Sequence, residues 1–393
     1  MNRCHREPPA VVLGAGVNLI EVVRSLALAG LTGAVVTGAH DAARLSRYAT
    51  AVTTWEWTDP CASRRDGALV ERLVAYARTQ PAPPPLLFTS DEALLFACRH
   101  RDDLAPAFRF AIAEAGSVEA MADKGRFAVL AERLKLCVPP TRVLEPPLGS
   151  PPVDLPGTGF PLVVKPYRRD ARWHELVNTA QKAVRVCTGG ELAALWPRLA
   201  GLDAPIVLQA SVPGPESRLE SYHVYVDEAG RIAAEFAGRK IRTLPAAYGH
   251  TTALTITDTA DVIDQGRTVV RSLGLRGVAK VDFKRAPGGD LFVLEVNPRF
   301  QLWHHAGARA GVNIPALVYA DLTGRPRPRT GPVRDGVRWV HPNDLFSATA
   351  QHIPAWRWAR WASGCEAKAF WAWNDPVPLA AAVATRLTRS RSR

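Results

Sequence analysis

Lysine is what this chain mostly does without: eight of its 49 basic residues are lysine and the rest arginine. Such arginine use reads as a compositional habit. Where a lysine is kept, a compact point charge is wanted that a broad guanidinium would not supply. Long apolar runs are also missing. None approaches the roughly 20 residues of a membrane span, and no secretory n-region and h-region opens the chain. The six cysteines, at 4, 61, 98, 137, 187 and 365, include no C-x-x-C pair. That argues against a disulfide framework or a zinc site and suits a reducing cytoplasm. The net charge of +12 would suit nucleic acid, yet the basic residues are spread along the chain. The exception is the end, with Arg386, Arg389, Arg391 and Arg393, which reads as a solvated, frayed terminus rather than a binding arm. No nucleic-acid partner is expected, and no internal repeat is apparent.

What is present is ordinary for a globular chain, 47% hydrophobic and 22% charged over 393 residues, enough for two or three domains. The start reads as βα units. A strand at 10–13, the turn Gly14-Ala15-Gly16, a helix at 19–29 and a strand at 34–37 come first. A helix near 67–79, a strand at 86–88 and a helix from Asp91 follow. Strands alternating with helices imply a parallel, doubly wound sheet. The turn is half of a dinucleotide fingerprint: Leu19 stands at the third glycine, and the second strand ends in Val36-Thr37-Gly38 without an acid for a ribose. A tight turn is the simpler reading of it than nicotinamide binding.

A new unit starts near 116. One helix runs from Ser117-Val118-Glu119 through Asp123-Lys124, and a second spans about 125–135. Residues 145–159, rich in Pro and Gly, make a loop before the short strand at 160–166, which carries Lys165 near its end. A helix near 190–199, a strand at 206–210 and a hairpin of 219–227 with 231–239 come next. A helix at about 259–273 precedes a last hairpin over 277–297, and Arg325-Pro326-Arg327-Pro328-Arg329 looks like a linker.

That last hairpin carries the chemistry. Residues 278–284 and 291–296 flank Pro287-Gly288-Gly289-Asp290, a good four-residue turn. With that loop, facing residues have numbers summing to about 577, so Asp282 faces Glu295 and Lys280 faces Asn297. Alternation puts these four on one face and Val281, Phe283, Leu294 and Val296 on the other, toward a core. Two opposed carboxylates repel by some tenths of a kcal/mol. A divalent cation turns that cost into binding, and magnesium wants oxygen ligands completed by phosphate and water. The alternative is a solvated face with Lys280 and Lys284 screening the acids. Beyond it, Asn297-Pro298-Arg299 sets an arginine fork beside the carboxylates, suited to a phosphoryl group or a substrate carboxylate.

With these residues in place, over about 10–325 the chain resembles the ATP-grasp superfamily of carboxylate–amine ligases. The resemblance rests on Asp123-Lys124, Leu162-Val163-Val164-Lys165-Pro166, Leu208-Gln209-Ala210-Ser211-Val212-Pro213-Gly214, Gly238-Arg239-Lys240, Asp282 and the Glu295-Val296-Asn297-Pro298-Arg299 run, in that order. Gly238-Arg239-Lys240-Ile241-Arg242 with Pro245, and Asn297 through His304 with Ala310-Gly311-Val312-Asn313, look most like the branch containing D-aspartate ligase. The resemblance implies an α/β (α+β) ATP-grasp fold with an N-terminal Rossmann-like pre-ATP-grasp domain over 1–115. The ATP-grasp domain, two α+β subdomains clasping ATP, would span 116–325, and a Trp/Arg-rich extension with a basic tail 326–393.

The implied cofactors are ATP and Mg2+, with Mn2+ as a substitute, and the implied partners a small-molecule carboxylate and an amine. A homodimer is compatible with such ligases. Lys124 and Lys165 match the two nucleotide lysines. Gln209, Ser211 and Val212 match the hinge that receives adenine through backbone groups. Glu216 is the candidate for the ribose hydroxyls, the alternative being a surface acid. Lys240 matches the lysine reaching the phosphates. Asp282, Glu295 and Asn297 match the metal ligands, and Arg299 the residue at the acyl-phosphate centre.

One departure stands out. The phosphate-covering stretch 167–174 contains no glycine, so backbone N–H groups are less free to wrap phosphates. Arginines there would neutralise phosphate charge, or the lid works differently. Tyr222, His223, His304 and His305 are expected either to line an acceptor pocket or, more simply, to serve the core. Rival readings are a carboxylase or carbamoyl-type ATP-grasp enzyme and a non-catalytic ATP-binding regulatory protein. Trp356, Arg357, Trp358, Arg360 and Trp361, with Trp339, Trp371 and Trp373 nearby, suit either peripheral membrane contact or an aromatic cap over the core.

Overall fold

The computed structural model describes residues 7–57, 62–146, 149–151, 159–167, 172–177 and 183–383. Much of the 145–159 loop, half of the glycine-free stretch (168–171) and the basic tail fall outside them.

The first unit is a parallel four-stranded sheet in the order Ala49–Thr54, Gly33–Thr37, Ala10–Leu13, Leu86–Phe88. The two inner strands are buried throughout, as their unbroken apolar runs require of a sheet covered on both sides. Ala49–Thr54 was not expected. It is a half-exposed edge strand rich in threonine and alanine, and so lacks the apolar run that marks its neighbours. The Gly14 turn is tight: a Cβ there would lie 2.0 Å from Thr89 Oγ1. The Gly16 N–H, at the start of helix Gly16–Leu28, donates to Asp41 Oδ2 at 2.7 Å. A carboxylate of the chain itself thus takes the helix N-terminus, where a pyrophosphate would sit in a dinucleotide site. The simple reading of the turn holds.

Helices Ala115–Ala122 and Lys124–Arg133 follow. The expected helix through Lys124 breaks one residue earlier, because Asp123 turns extended and accepts from the N–H groups of Gly125 and Arg126, both at 3.1 Å. That is ordinary N-capping, and it puts Lys124 in the first turn. A second sheet has the order Thr141–Leu144, Ile206–Ala210, Leu162–Pro166, Val184–Val186, antiparallel throughout. Helix Gly189–Ala200 covers it, and Leu162, Val164, Trp173, Trp196, Leu199 and Leu208 form its own core.

The third sheet has seven strands in the order Leu291–Asn297, Gly277–Arg285, Leu219–Val226, Ile232–Leu244, His250–Thr257, Arg338–Val340, Ala367–Lys368. Helix Ala260–Ser272 packs on one face through Val262, Val269 and Val270. Gly266 leaves room there for Tyr222, whose ring a Cβ would meet at 2.3 Å. Valines and leucines of the first sheet share cores with this one, so the two form one packed body while the second sheet stands on separate packing. His250–Thr257 was not anticipated, and Ile232–Leu244 runs five residues past its expected end.

The C-terminal stretch adds the last two strands of this sheet and a small aromatic core. Arg242 Nε and Nη2 grip both carboxylate oxygens of Asp344, the Nε–Oδ1 distance being 2.9 Å. Thr252 Oγ1 and Trp358 Nε1 donate to the same carboxylate at 2.7 and 3.0 Å. The Arg242 guanidinium also lies 4.4 Å from the Trp361 ring centroid. Trp358, Trp361 and Trp371 pack against Val340, Ala362 and Cys365, leaving Trp356 and Trp373 exposed. The aromatic-cap reading fits these contacts. An interfacial helix does not, because Trp358 and Trp361 turn toward protein. No helix among the described residues is long and apolar enough to cross a membrane.

Asp344→Ala would leave the Arg242 charge buried and unpaired, so a loss of about 3–5 kcal/mol is expected, read as a lowered urea midpoint. The exposed Trp356→Ala should stay within about 0.5 kcal/mol of the parent.

Candidate active site

The polar face of the seven-stranded sheet collects the expected residues. In the hairpin, Asp282 pairs with Glu295, Val281 with Val296 and Lys280 with Asn297, the register expected from the turn. Past Asp282 the register shifts by one, so that Phe283 faces Val293. The loop occupies 286–290, closed by the Ala286 N–H to Asp290 O bond at 2.8 Å, and a β-bulge at Leu294 absorbs the difference. One expectation is thereby corrected. Leu294 is only half-buried, and Val293 takes its place in the core beside Val281, Phe283 and Val296.

Leu219–Val226 widens this face: Ser221 lies opposite Asp282, and His223 opposite Lys280. Ser221 Oγ donates to Asp282 Oδ1, and Lys280 Nζ donates to Oδ2 at 2.7 Å. Asp282 and Lys280 are both buried, while Glu295 is exposed and accepts from Asn297 Nδ2 at 3.2 Å. One carboxylate is therefore deep and the other shallow. Lys240, one strand further, feels all of them. Burial chiefly lowers its ammonium pKa and Lys280 adds to the effect, while Asp282, Glu295 and Glu216 oppose it.

Lys165 faces this group from the second sheet. Its Nζ donates to Gln209 Oε1 at 2.7 Å, and Gln209 Nε2 donates to Thr141 Oγ1 at 2.9 Å. Burial first and Lys124 second lower the Lys165 pKa to about 8, against the pull of Glu295. Lys124, Lys165 and Glu295 thus lie within electrostatic reach of one another, spanning two sheets. Gln209 emerges as the group that aims Lys165. The Ser211 N–H is already committed to Pro161 O at 2.9 Å and so is not free to meet a base. Val212 beside it is half-buried.

Glu216 Oε1 lies 3.5 Å from Lys284 Nζ, which also donates to Pro215 O at 2.8 Å. Burial lowers the Lys284 pKa, and Glu216 counters it. Lys284 was given only a screening role from sequence, although alternation with Lys280 and Asp282 already put it on this face.

Arg299 sits less openly than a fork awaiting substrate. It is buried, and its Nε donates to Asp91 Oδ1 at the start of helix Asp91–Arg99 of the first unit. Phe300 N–H donates to Phe88 O at 3.0 Å, fixing the same junction. No sequence signal marks Asp91 as the partner, since 208 residues separate the two.

The aromatic and histidine candidates separate cleanly. Tyr222 is core, its hydroxyl donating to Glu235 at 2.6 Å. His223 stacks on Phe236 at 4.6 Å and meets His304 edge-on at 5.5 Å. Burial holds His223 well below the usual imidazole range and His304 at about 4, with Lys280 contributing to both. His305, at about 3 from burial and from Arg24 and Arg309, belongs to the packing around the first helix. All three imidazoles are neutral near pH 7. Gly238 is required beside them, because a Cβ would come 2.7 Å from the Trp303 ring.

Among the described residues no group of three or more His, Cys, Asp and Glu side chains gathers to hold a metal alone. Asp282, Glu295 and the Asn297 amide nevertheless form an all-oxygen set on one face. That is a fit for a hard cation which takes its remaining ligands from phosphate and water.

Residues 219–344, from the Ser221 strand to Asp344, match the family described as ATP-grasp in the biosynthetic pathway with Ter operon. No curated protein matches the chain in sequence. Among solved structures, an ADP complex of N5-carboxyaminoimidazole ribonucleotide synthetase superposes with a TM-score of 0.62 at 13% identity, covering 85% of this chain and 82% of that one. The L-amino acid ligase from Bacillus licheniformis gives 0.59 at 15% identity, with coverages of 81% and 74%. The biotin carboxylase domain of Hydrogenobacter thermophilus 2-oxoglutarate carboxylase, in complex with MgADP and bicarbonate, gives 0.58 at 15%, with coverages of 85% and 74%. The chain has the ATP-grasp fold, and it carries that superfamily's sequence pattern over residues 219–344.

Proposed function

We propose that the chain is an ATP- and magnesium-dependent ligase that activates a carboxylate as an acyl phosphate and joins it to an amine. The observation that carries the reading is the opposition of Asp282 and Glu295 on a polar face shared with Lys240 and approached by Lys165. The ADP, MgADP and bicarbonate bound in similar structures support it from outside. The D-aspartate ligase-like branch remains the reading of the 238–245 and 297–313 segments.

The roles proposed for the residues are these. Lys124 and Lys165 receive the nucleotide phosphates, and Gln209 holds Lys165 in line. The Gln209–Val212 segment borders the base, and Glu216, tethered by Lys284, faces the ribose. Asp282, Glu295 and Asn297 would hold magnesium, which supplies charge neutralisation for the phosphates when bound. Lys240 offsets charge on the transferring group, and Arg299, held by Asp91, orients the acyl end. A substrate carboxylate oxygen bonds to the γ-phosphorus as the bond to ADP breaks. The amine nitrogen then bonds to the acyl carbon, phosphate leaves with the C–O electrons, and the amine loses a proton. Positioning and electrostatics suffice for this, with no protein nucleophile. Bicarbonate as the carboxylate is the second reading, favoured by the carboxylase among the similar structures.

Purified protein should release ADP and phosphate from Mg-ATP only with the right acid and amine, and a screen of amino acids, small carboxylates and bicarbonate would find them. Glu295→Ala, at an exposed position, should lower turnover at least about 100-fold while the fold stays intact. AMP and pyrophosphate as products would refute the acyl-phosphate route.

A pH dependence follows as well. Lys165 is charged below its pKa of about 8 and neutral above it, so ATP affinity should fall as pH rises from 7 to 9. Lys165→Arg should flatten that profile in calorimetric titrations.

A further inference from the structure

Each oxygen of Asp282 accepts a hydrogen bond from the chain itself. Lys280 Nζ and Ser221 Oγ each donate to one of its oxygens, and the Lys280 and Asp282 side chains are 9% and 6% exposed. A divalent cation and an ammonium cannot share so buried a carboxylate cheaply, since both are positive and little water screens them. Nor can the ammonium simply be expelled, because a buried charge without a partner is costly. For Lys280 to keep its charge, an anion has to take over from Asp282.

The surroundings of Lys280 favour one. Its Nζ lies 5.7 Å from the centroid of the Trp303 ring. Trp303 Nε1, a donor only, is buried with no hydrogen-bond partner, and so are both ring nitrogens of His223, the cross-strand neighbour of Lys280. Buried polar groups are rarely left unsatisfied in native proteins. A neutral His223 offers one ring N–H and one acceptor, so it is the Trp303 N–H, a donor only, that matches an oxyanion rather than another cation.

We propose that Lys280 is an exchangeable counter-ion, which holds Asp282 while that carboxylate is metal-free and passes to an oxyanion of the substrate once Asp282 is taken by metal. The proposal rests on the ligase reading above. It makes metal and anion binding cooperative, each supplying the partner that the other removes. It also explains why lysine is kept here in an arginine-rich chain: a compact ammonium can swing between two acceptors, where a planar fork would stay clamped to one.

The test is Mn2+ binding to the full chain with saturating ADP, followed by electron paramagnetic resonance, with inorganic phosphate as the oxyanion probe. In the parent, phosphate should tighten Mn2+ binding several-fold. Lys280→Met should bind Mn2+ about tenfold more tightly than the parent, since the competing charge is gone, and phosphate should no longer help. Lys280→Arg should keep the weaker, parent-like affinity. Should the Met variant fail to fold, judged by circular dichroism, Lys280→Gln carries the same expectation. Mn2+ binding no tighter in a folded neutral variant, or phosphate tightening parent and variant alike, would overturn the exchange alone. A parent that binds no Mn2+ with ADP would overturn the ligase reading itself.

Discussion

The structure depends on pairing a carboxylate in the interior of a β-sheet. Asp282 lies on the second strand of seven, flanked by Ser221 on one neighbouring strand and Glu295 on the other. Burying a carboxylate is affordable only when its oxygens are hydrogen-bonded and its charge is paired, and Ser221 and Lys280 do both. The face around it is polar for that reason, while the opposite face, with Tyr222, Val281, Phe283 and Val296, is free to be apolar and to pack on a helix. Function and packing divide along the alternation of one hairpin.

Two further ion pairs, one part-buried and one buried, fasten this sheet to the rest of the chain. Arg299 with Asp91 joins the strand end to the first unit, and Arg242 with Asp344 joins the fourth strand to the C-terminal cap. Each locks an arginine from a segment close to the candidate site, so the units that surround the site also hold its shape. The second sheet differs in having a core of its own. Within it, Gln209 on the neighbouring strand holds the Lys165 ammonium by a side-chain hydrogen bond. That arrangement suits an element that closes over a nucleotide.

The sequence revealed most where a short-range rule was enough. A good turn and period-two alternation gave the Asp282–Glu295 register, and unbroken apolar runs gave the inner strands of the first sheet. Where the local signal was weak, strands went unnoticed. Ala49–Thr54 and His250–Thr257 are threonine-rich strands without strong apolar patterning, and the bulge that displaces Leu294 follows from one residue of loop length. Asp91, Asp344 and Ser221 were invisible as partners, because nothing local records a contact made 208, 102 or 61 residues away. The histidines were legible only as alternatives, since burial, which decides their charge, is a property of the assembled fold.

The central claim is that Asp282 and Glu295 share one cation. Diffraction from crystals grown with ADP and Mn2+, recorded at the manganese absorption edge, tests it most directly. The account predicts an anomalous peak about 2 Å from an oxygen of each carboxylate, with Lys280 drawn away from Asp282. A peak held by phosphate oxygens and Glu295 alone, with the Lys280–Asp282 pair intact, would contradict it.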